Sequence, residues 1–160
     1  MHEQGSTIRL HEGKEAIKHV YNDLLERIRP HEYYNVLGNI DLWMNIDEKF
    51  FSDFIYRRSK RKINVRVLLQ HSELAAEHKR CERNYSEQVK LLPPDTVFDT
   101  NLVTTPQLSV MHQLTTPTSA LVVENTNIVR MHQQSLTCFG QQSQTSLSFC
   151  TAQRIEHQIR

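Results

Sequence analysis

Apolar and polar positions alternate along this chain with two different periods, and these periods predict the order of its elements. Residues 14–28 carry apolar side chains at helical spacing, which predicts an amphipathic helix that ends before Pro30. Residues 33–38 and 63–70 are short apolar runs typical of buried strands, and residues 8–10 are a shorter strand candidate. The chain therefore begins with strand, helix and strand.

Helix caps mark the next elements. Asp47 is a candidate N-cap for a second helix with an aromatic face, and Ser72 is a candidate N-cap for a short, mostly charged helix. Residues 108–114 and 120–123 have the pattern of two strands joined by a turn at Pro117, and a last helix is predicted from residue 128. Because strands and helices alternate, we expect an α/β fold with a mixed, mainly parallel sheet flanked by helices on both faces.

Composition narrows the functional classes. The 160 residues include 19 Lys and Arg against 18 Asp and Glu, so the net charge of +1 argues against a nucleic-acid coat held by bulk charge. Residues 1–99 hold 32 of the 37 charged side chains, and residues 133–160 form an atypical polar segment. We therefore place a single domain at residues 1–132. No apolar run approaches the ~18 residues of a membrane helix and no signal peptide precedes the domain, so we expect a cytoplasmic protein.

Motifs for catalysis and metal binding are missing from the sequence. There are only four glycines, and no Gly-x-Ser-x-Gly, P-loop or Gly-x-Gly-x-x-Gly pattern occurs. His78 and Cys81 stand three apart, but no second pair at zinc-ligand spacing accompanies them. We therefore predict no catalytic residue, no metal and no cofactor.

Four segments carry a resemblance to a known family. They are residues 8–17 (IRLHEGKEAI), residues 50–68, where an aromatic helix ends in Arg and Lys and leads into a strand, residues 89–93 and residues 120–125. Together they resemble the effector domain of TrmB-type transcriptional regulators over residues 8–132. The resemblance implies a fold like half of a phospholipase D and a homodimer that binds a small effector. It also implies that DNA is contacted only through a helix-turn-helix domain that this chain does not contain.

The phospholipase D motif itself, His-x-Lys followed by Asp, does not occur. None of the nine histidines has Lys two positions later, and Thr104 to Gln107 on the strand that we matched to the motif supply neither a nucleophile nor a cation. Without an imidazole to attack phosphorus, the covalent route is closed. We therefore predict a non-enzymatic sensing domain.

Ligands of open α/β sheets bind beyond the carboxyl ends of strands. This rule selects Asn39 and Asp41 after the second strand and His71 after the third, and Asn101 and Thr104 beside the degenerate motif are further candidates. Trp43 is a candidate stacking platform for a sugar.

Two alternatives stay open at this point. One is a phosphodiesterase or nuclease with a degenerate site. The other is direct contact with nucleic acid or another anion through the basic segment, whose cations are Arg57, Arg58, Lys60, Arg61 and Lys62.

Overall fold

Strands and helices follow one another in the first half of the chain, and strands alone in most of the second. A computed structural model describes the backbone of residues 5–156 and the side chains of residues 5–141. The strands are β1 (Thr7–Glu12), β2 (Tyr33–Gly38), β3 (Asn64–Leu69), β4 (Glu87–Leu91), β5 (Thr100–Thr104), β6 (Ser109–Gln113) and β7 (Ser119–Glu124). The helices are α1 (Lys14–Arg27), α2 (Ile40–Ser59), α3 (Glu73–Arg80) and α4 (Thr126–Glu156).

All seven strands belong to one open sheet with the order β1-β7-β6-β5-β2-β3-β4. The strands β2, β3 and β4 are parallel to one another, whereas β5, β6 and β7 form antiparallel hairpins and β1 pairs antiparallel with β7. The sheet is therefore mixed, as predicted. The expectation of a mainly parallel sheet is wrong, because most of the strand pairs are antiparallel.

The main core lies on the sheet face that α1 and α2 cover. Val36, Val67 and Val103 occupy neighbouring register positions on this face, and α1 adds Ile17, Leu24 and Tyr21. These side chains are at most 5% exposed. Burial of a side chain of this size contributes about 1.5–3 kcal/mol, so this layer is the principal source of stability.

The helix α4 contacts part of the opposite face. His132 lies within 2.6 Å of the Ser109 hydroxyl on β6, and Gly140 lies beside Leu68 on β3. The two faces are thus covered unequally, with α1 and α2 on one side and a single long helix crossing the other. The helix α4 runs without a break through residue 132, where the sequence suggested a domain boundary, while the side chains from residue 142 onward lie outside the described residues.

The second and last helices begin earlier than their patterns predicted. The side chain of Asn39 accepts a hydrogen bond from the Asp41 N–H (3.0 Å) and caps α2, and Asn125 caps α4 in the same way. Asp47 sits at a kink inside α2, where its carboxylate accepts from the Phe50 N–H at 2.9 Å. It therefore caps the second half of the helix rather than its beginning. Among the described helices, none combines the length and apolar content needed to cross a bilayer.

Candidate ligand-binding site

Two of the predicted ligand residues hold the end of β2 together. Asn101 is fully buried, and its Oδ1 accepts a hydrogen bond of 2.7 Å from the Asn39 N–H. Its side chain lies so close to Gly38 that a Cβ there would stand 1.9 Å from Oδ1. Only glycine leaves room for this contact. Asn39 and Asn101 therefore fix the junction between β2 and α2.

Trp43 is buried and is not exposed as a stacking platform, so that expectation is wrong. Its indole N–H donates to the Tyr21 hydroxyl, and the Tyr21 ring stacks on His112 with a centroid distance of 4.9 Å. The space beside these rings holds about 40 Å³, which is far below the ~300 Å³ of a small ligand pocket. The amphipathic spacing of α1 and α2 brings these aromatic groups to the core.

Burial also determines the charge of His112. It lowers the pKa of the imidazole from its usual 6.5 to about 3, and an interaction with the Asn101 backbone opposes that shift only in part. The imidazole is therefore neutral at physiological pH. Because it is fully buried, it is also shielded from any substrate in solvent.

The remaining predicted residues do not join one site. His71 is exposed just after β3, and Asp41 is half-buried in the first turn of α2. Thr104 lies at the far end of β5 from Asn101, where its register partners are Asn35 and Ser109. Three positions apart on one strand, Asn101 and Thr104 point to opposite faces of the sheet.

The basic segment divides into an exposed part and a buried part. Arg57, Lys60, Arg61 and Lys62 are exposed at the end of α2. Arg58 instead is 5% exposed and forms an ion pair with Glu87 on β4. Arg58 therefore does not belong to the surface available to an external anion.

The Arg58–Glu87 pair is part of a buried charge network. His78 of α3 contacts the other Glu87 oxygen at 2.7 Å and stacks on Tyr85. Burial would raise the pKa of Glu87, but Arg58 and His78 outweigh it and hold that pKa below its usual range. The network ties α2, α3 and β4 together. Among the described residues, no group of three or more His, Cys, Asp or Glu is placed to hold a metal ion.

A line of polar side chains crosses the sheet on the face beneath α4. Neighbouring register positions on five adjacent strands place these residues side by side, and we call them the polar row: Gln88, Arg66, Asn35, Thr104 and Ser109. His132 of α4 closes one end of the row through its contact with Ser109. Such a row departs from the apolar inner face that a buried sheet normally presents.

Two members of the polar row are buried without a hydrogen-bond partner among the described residues. Asn35 is 9% exposed with a free Oδ1, and Thr104 is fully buried with a free hydroxyl. Buried polar atoms are nearly always bonded, because a lost hydrogen bond costs about 1–3 kcal/mol. These two atoms therefore mark a place where a further partner would be stabilised.

A groove of about 300 Å³ opens at the Gln88 end of the row and extends to Asn35, between strands β2 to β4 and α4. We call it the α4 groove. Its polar lining includes Asn35, Arg66, Gln88, Lys90 and Thr137, and Lys90 donates a hydrogen bond to the Gly140 carbonyl of α4. No Asp or Glu is found among the described residues that line it. The groove is therefore basic as well as polar.

The sequence carried a weak signal for this groove. Asn35 interrupts the apolar run of β2, and Arg66 interrupts that of β3, each at the centre of a strand predicted to be buried. Their adjacency depends on the parallel register of β2 and β3, which the sequence does not fix.

Comparison with known proteins identifies solved structures of the same fold. No family model and no curated protein matches the chain. Among solved structures, TrmBL2, described as an archaeal chromatin protein with a novel mode of DNA binding, is similar with a TM-score of 0.59 at 9% identity. The match covers 85% of this chain and 52% of TrmBL2, so the chain spans about half the length of that protein.

NucT from Helicobacter pylori is similar with a TM-score of 0.61, also at 9% identity, over 86% of this chain and 97% of NucT. Likenesses at this identity establish the fold alone. The chain therefore shares its fold with TrmBL2 and NucT, in agreement with the sequence resemblance.

Proposed function

We propose that the chain is a non-catalytic effector-binding and dimerisation module of a TrmB-type transcriptional regulator, and that its small ligand binds in the α4 groove. The proposal rests mainly on Asn35, a buried side chain at the wall of that groove whose Oδ1 accepts no hydrogen bond from the described residues. The fold shared with TrmBL2 supports the regulatory class, since that protein is described as binding DNA.

The chemistry of the described residues supports binding rather than turnover. A phosphodiesterase of this fold would need an accessible imidazole, and His112 is buried, neutral and stacked on Tyr21. His132, half-buried on α4, is occupied by Ser109. Neither residue is followed two positions later by a lysine that would stabilise a phosphoryl intermediate.

The position of α4 gives the groove a means of signalling. Lys90 bonds to the Gly140 carbonyl of α4, so a ligand that takes this ammonium group would loosen one contact of the helix with the sheet. A ligand shifts a conformational equilibrium only by its difference in affinity for the two states. Because Lys90 is bonded to α4 in one state and available to the ligand in the other, the two states would differ in their affinity for the ligand.

Self-association belongs to the same proposal. The edge strand β1 exposes Ile8 and Leu10, which are 64% and 63% exposed. An exposed apolar edge strand favours pairing with another chain. Sedimentation equilibrium of the wild type and Ile8→Lys tests this surface: we expect a dimer that weakens in the variant, and a monomeric wild type would remove dimerisation from the proposal.

The sensing role is tested by a thermal-shift screen of the chain with sugars, nucleotides, amino acids and phosphorylated metabolites. We expect at least one compound to raise the melting temperature of the wild type and not that of Asn35→Leu. Asn45→Leu, an exposed position outside the groove, is the matched control and should keep the response. Failure of every compound to stabilise the wild type would refute a small-ligand sensor.

The enzymatic alternative has a separate test. We expect no hydrolysis of bis(p-nitrophenyl) phosphate above the rate without protein. Turnover that disappears in His132→Ala, while the variant keeps its fold by circular dichroism, would replace the proposal by a phosphodiesterase.

Nucleic-acid binding is a second candidate function, favoured by the exposed cations Arg57, Lys60, Arg61 and Lys62 at the end of α2. Its measurement is the fluorescence anisotropy of a labelled DNA duplex at increasing salt. Replacement of the four cations by Gln would abolish the binding if this surface carried it. Replacement of Lys14 and Lys49, on other surfaces, is the control.

A further inference from the structure

Two cations of the α4 groove have no carboxylate partner among the described residues, unlike three cations of α1 and α2 that are held in ion pairs. Arg58 pairs with Glu87, Arg27 with Glu124 and Lys18 with Asp47. Arg66 and Lys90, by contrast, form no ion pair with any described residue, and Lys90 reaches only the neutral Gly140 carbonyl. The groove therefore presents positive charge without a carboxylate to balance it.

The arrangement of Arg66 favours an anion with several oxygens. A guanidinium has five N–H donors and accepts no hydrogen bonds, so it matches the oxygens of a phosphate or carboxylate. Arg66 and Lys90 stand on adjacent parallel strands, with register partners Gln88 and Leu68. Lys90 lies two residues along β4 from the register partner of Arg66, a diagonal separation of about 7–8 Å, and these two long side chains can span that separation to contact one tetrahedral anion.

Asn35 requires a hydrogen-bond donor on the ligand, whereas Arg66 and Lys90 require acceptors. It is the register partner of Arg66 on the neighbouring strand, and its buried Oδ1 accepts no hydrogen bond from the described residues. An anion without a proton cannot satisfy this oxygen, whereas a hydroxyl group can donate to it. A complementary ligand thus carries an anionic group and, about one strand spacing away, a hydroxyl donor.

The volume limits the size of the ligand. The groove holds about 300 Å³, at the lower end of the range for small-molecule sites. Leu136 and Leu68 supply apolar contact on its walls. This space suits a monosaccharide with one phosphate better than a nucleotide or a peptide.

We propose that the α4 groove binds a small hydroxylated anion of the sugar-phosphate class, with Arg66 and Lys90 contacting the phosphate and Asn35 accepting from a hydroxyl. This inference rests on the proposed sensing function and specifies its ligand chemistry. Because the ligand competes with the Gly140 carbonyl for Lys90, its binding changes the contact between α4 and the sheet.

The test is isothermal titration calorimetry of the full chain with glucose 6-phosphate, glucose and inorganic phosphate. We expect glucose 6-phosphate to bind at least tenfold more tightly than inorganic phosphate, and glucose to bind more weakly than both. Arg66→Gln and Lys90→Gln should each weaken glucose 6-phosphate by about tenfold, as expected for loss of a charge-assisted hydrogen bond. The variants Arg83→Gln and Lys49→Gln remove exposed charges of the same type elsewhere and should leave the affinity unchanged.

The variant Asn35→Leu tests the hydroxyl contact separately from the anion contact. It should reduce the affinity for glucose 6-phosphate and leave that for inorganic phosphate unchanged, because inorganic phosphate carries no hydroxyl about one strand spacing away from the oxygens that Arg66 and Lys90 hold. Trp43 fluorescence and circular dichroism verify the fold of each variant. Arg66 is exposed at the sheet surface, so its replacement removes no buried contact and should leave the protein folded.

Several results would overturn the inference. Equal affinity for glucose and glucose 6-phosphate would exclude an anion site, and an affinity unchanged in both Arg66→Gln and Lys90→Gln would place the anion elsewhere. A neutral compound from the thermal-shift screen whose effect is lost in Asn35→Leu would overturn the ligand class but preserve the sensing function. Failure of every compound in that screen would overturn both.

Discussion

Replacing Gly38 by alanine tests whether the end of β2 is a structural junction rather than an open ligand site. The added Cβ would lie 1.9 Å from Asn101 Oδ1, 2.5 Å from its Cγ and 2.8 Å from its Cβ. These atoms belong to a fully buried side chain, so they cannot move into solvent. Either the strand shifts or the Asn101 side chain leaves its position and gives up its bond to Asn39.

The loss of stability expected for Gly38→Ala has two parts. Overpacking of a filled core costs about 1–3 kcal/mol, and leaving the Asn39 N–H without its acceptor costs about 1–3 kcal/mol more. We therefore expect Gly38→Ala to lower the free energy of unfolding by about 2–6 kcal/mol. Gly5→Ala, where no atom lies within 4 Å of the added Cβ, is the control and should change it by less than about 0.5 kcal/mol.

A double-mutant cycle isolates the contact. Asn101→Gly removes all three clashing atoms, so the double variant has no overlap and loses the bond to Asn39 only once. It should therefore be more stable than the sum of the single effects predicts, by about 2 kcal/mol or more. The assay is urea unfolding followed by the fluorescence of Trp43, the single tryptophan, which is buried. Strictly additive effects would refute the junction.

Three further predictions concern other parts of the fold. Glu87→Gln removes the partner of the buried Arg58 and should destabilise the chain by about 3–5 kcal/mol in urea unfolding, and a loss below 1 kcal/mol would contradict the network. His112 has a pKa of about 3 when folded and 6.5 when unfolded, so acid favours unfolding below pH 6.5. The wild type should lose about 2 kcal/mol of stability between pH 7 and pH 5 through this group, and His112→Leu should not. Parallel curves of unfolding free energy against pH for the two proteins would refute this. Gly140→Ala places a Cβ 3.8 Å from Leu68, an ordinary contact inside α4, and should raise stability by about 0.5–1 kcal/mol, whereas a lower melting temperature would contradict the packing of α4.

Local periodicity predicted much of the fold because several elements depend on nearby residues alone. The helix predicted at residues 14–28 is α1 at Lys14–Arg27, and the runs at 33–38 and 63–70 correspond to β2 and β3. The two strands around Pro117 are the hairpin β6–β7. In each case the apolar spacing and the terminating residue lie within the element itself.

Strand pairing could not be predicted in the same way. The strand β5 is only five residues long and begins and ends with threonine, so its central place in the sheet depends on pairing with β2 and β6. The alternating elements of the first half suggested parallel neighbours, yet β1 pairs with β7, more than a hundred residues away in sequence. Propensity within a short segment contains no information about such partners.

The contacts of the candidate site could likewise not be predicted from local sequence. Polar residues at strand ends predicted Asn39 and Asn101 as ligand contacts, but the Asn101 side chain accepts from the Asn39 backbone N–H and the Asn39 side chain caps α2. Arg58 was predicted at the surface because it stands in a basic run, while its helical position turns it inward to Glu87. Asn35 and Arg66 can be recognised as neighbours only when the register of β2 and β3 is known.

The α4 groove as the sensing site is tested most directly by amide hydrogen exchange of the full chain with and without saturating glucose 6-phosphate. We predict slower exchange in β3 and β4, because the ligand contacts Arg66 and Lys90, and altered exchange in residues 133–141 of α4, because the bond of Lys90 to the Gly140 carbonyl is lost. Slower exchange at residues 38–43 and at His71 instead, with β3, β4 and α4 unchanged, would contradict it and return the site to the carboxyl ends of the strands.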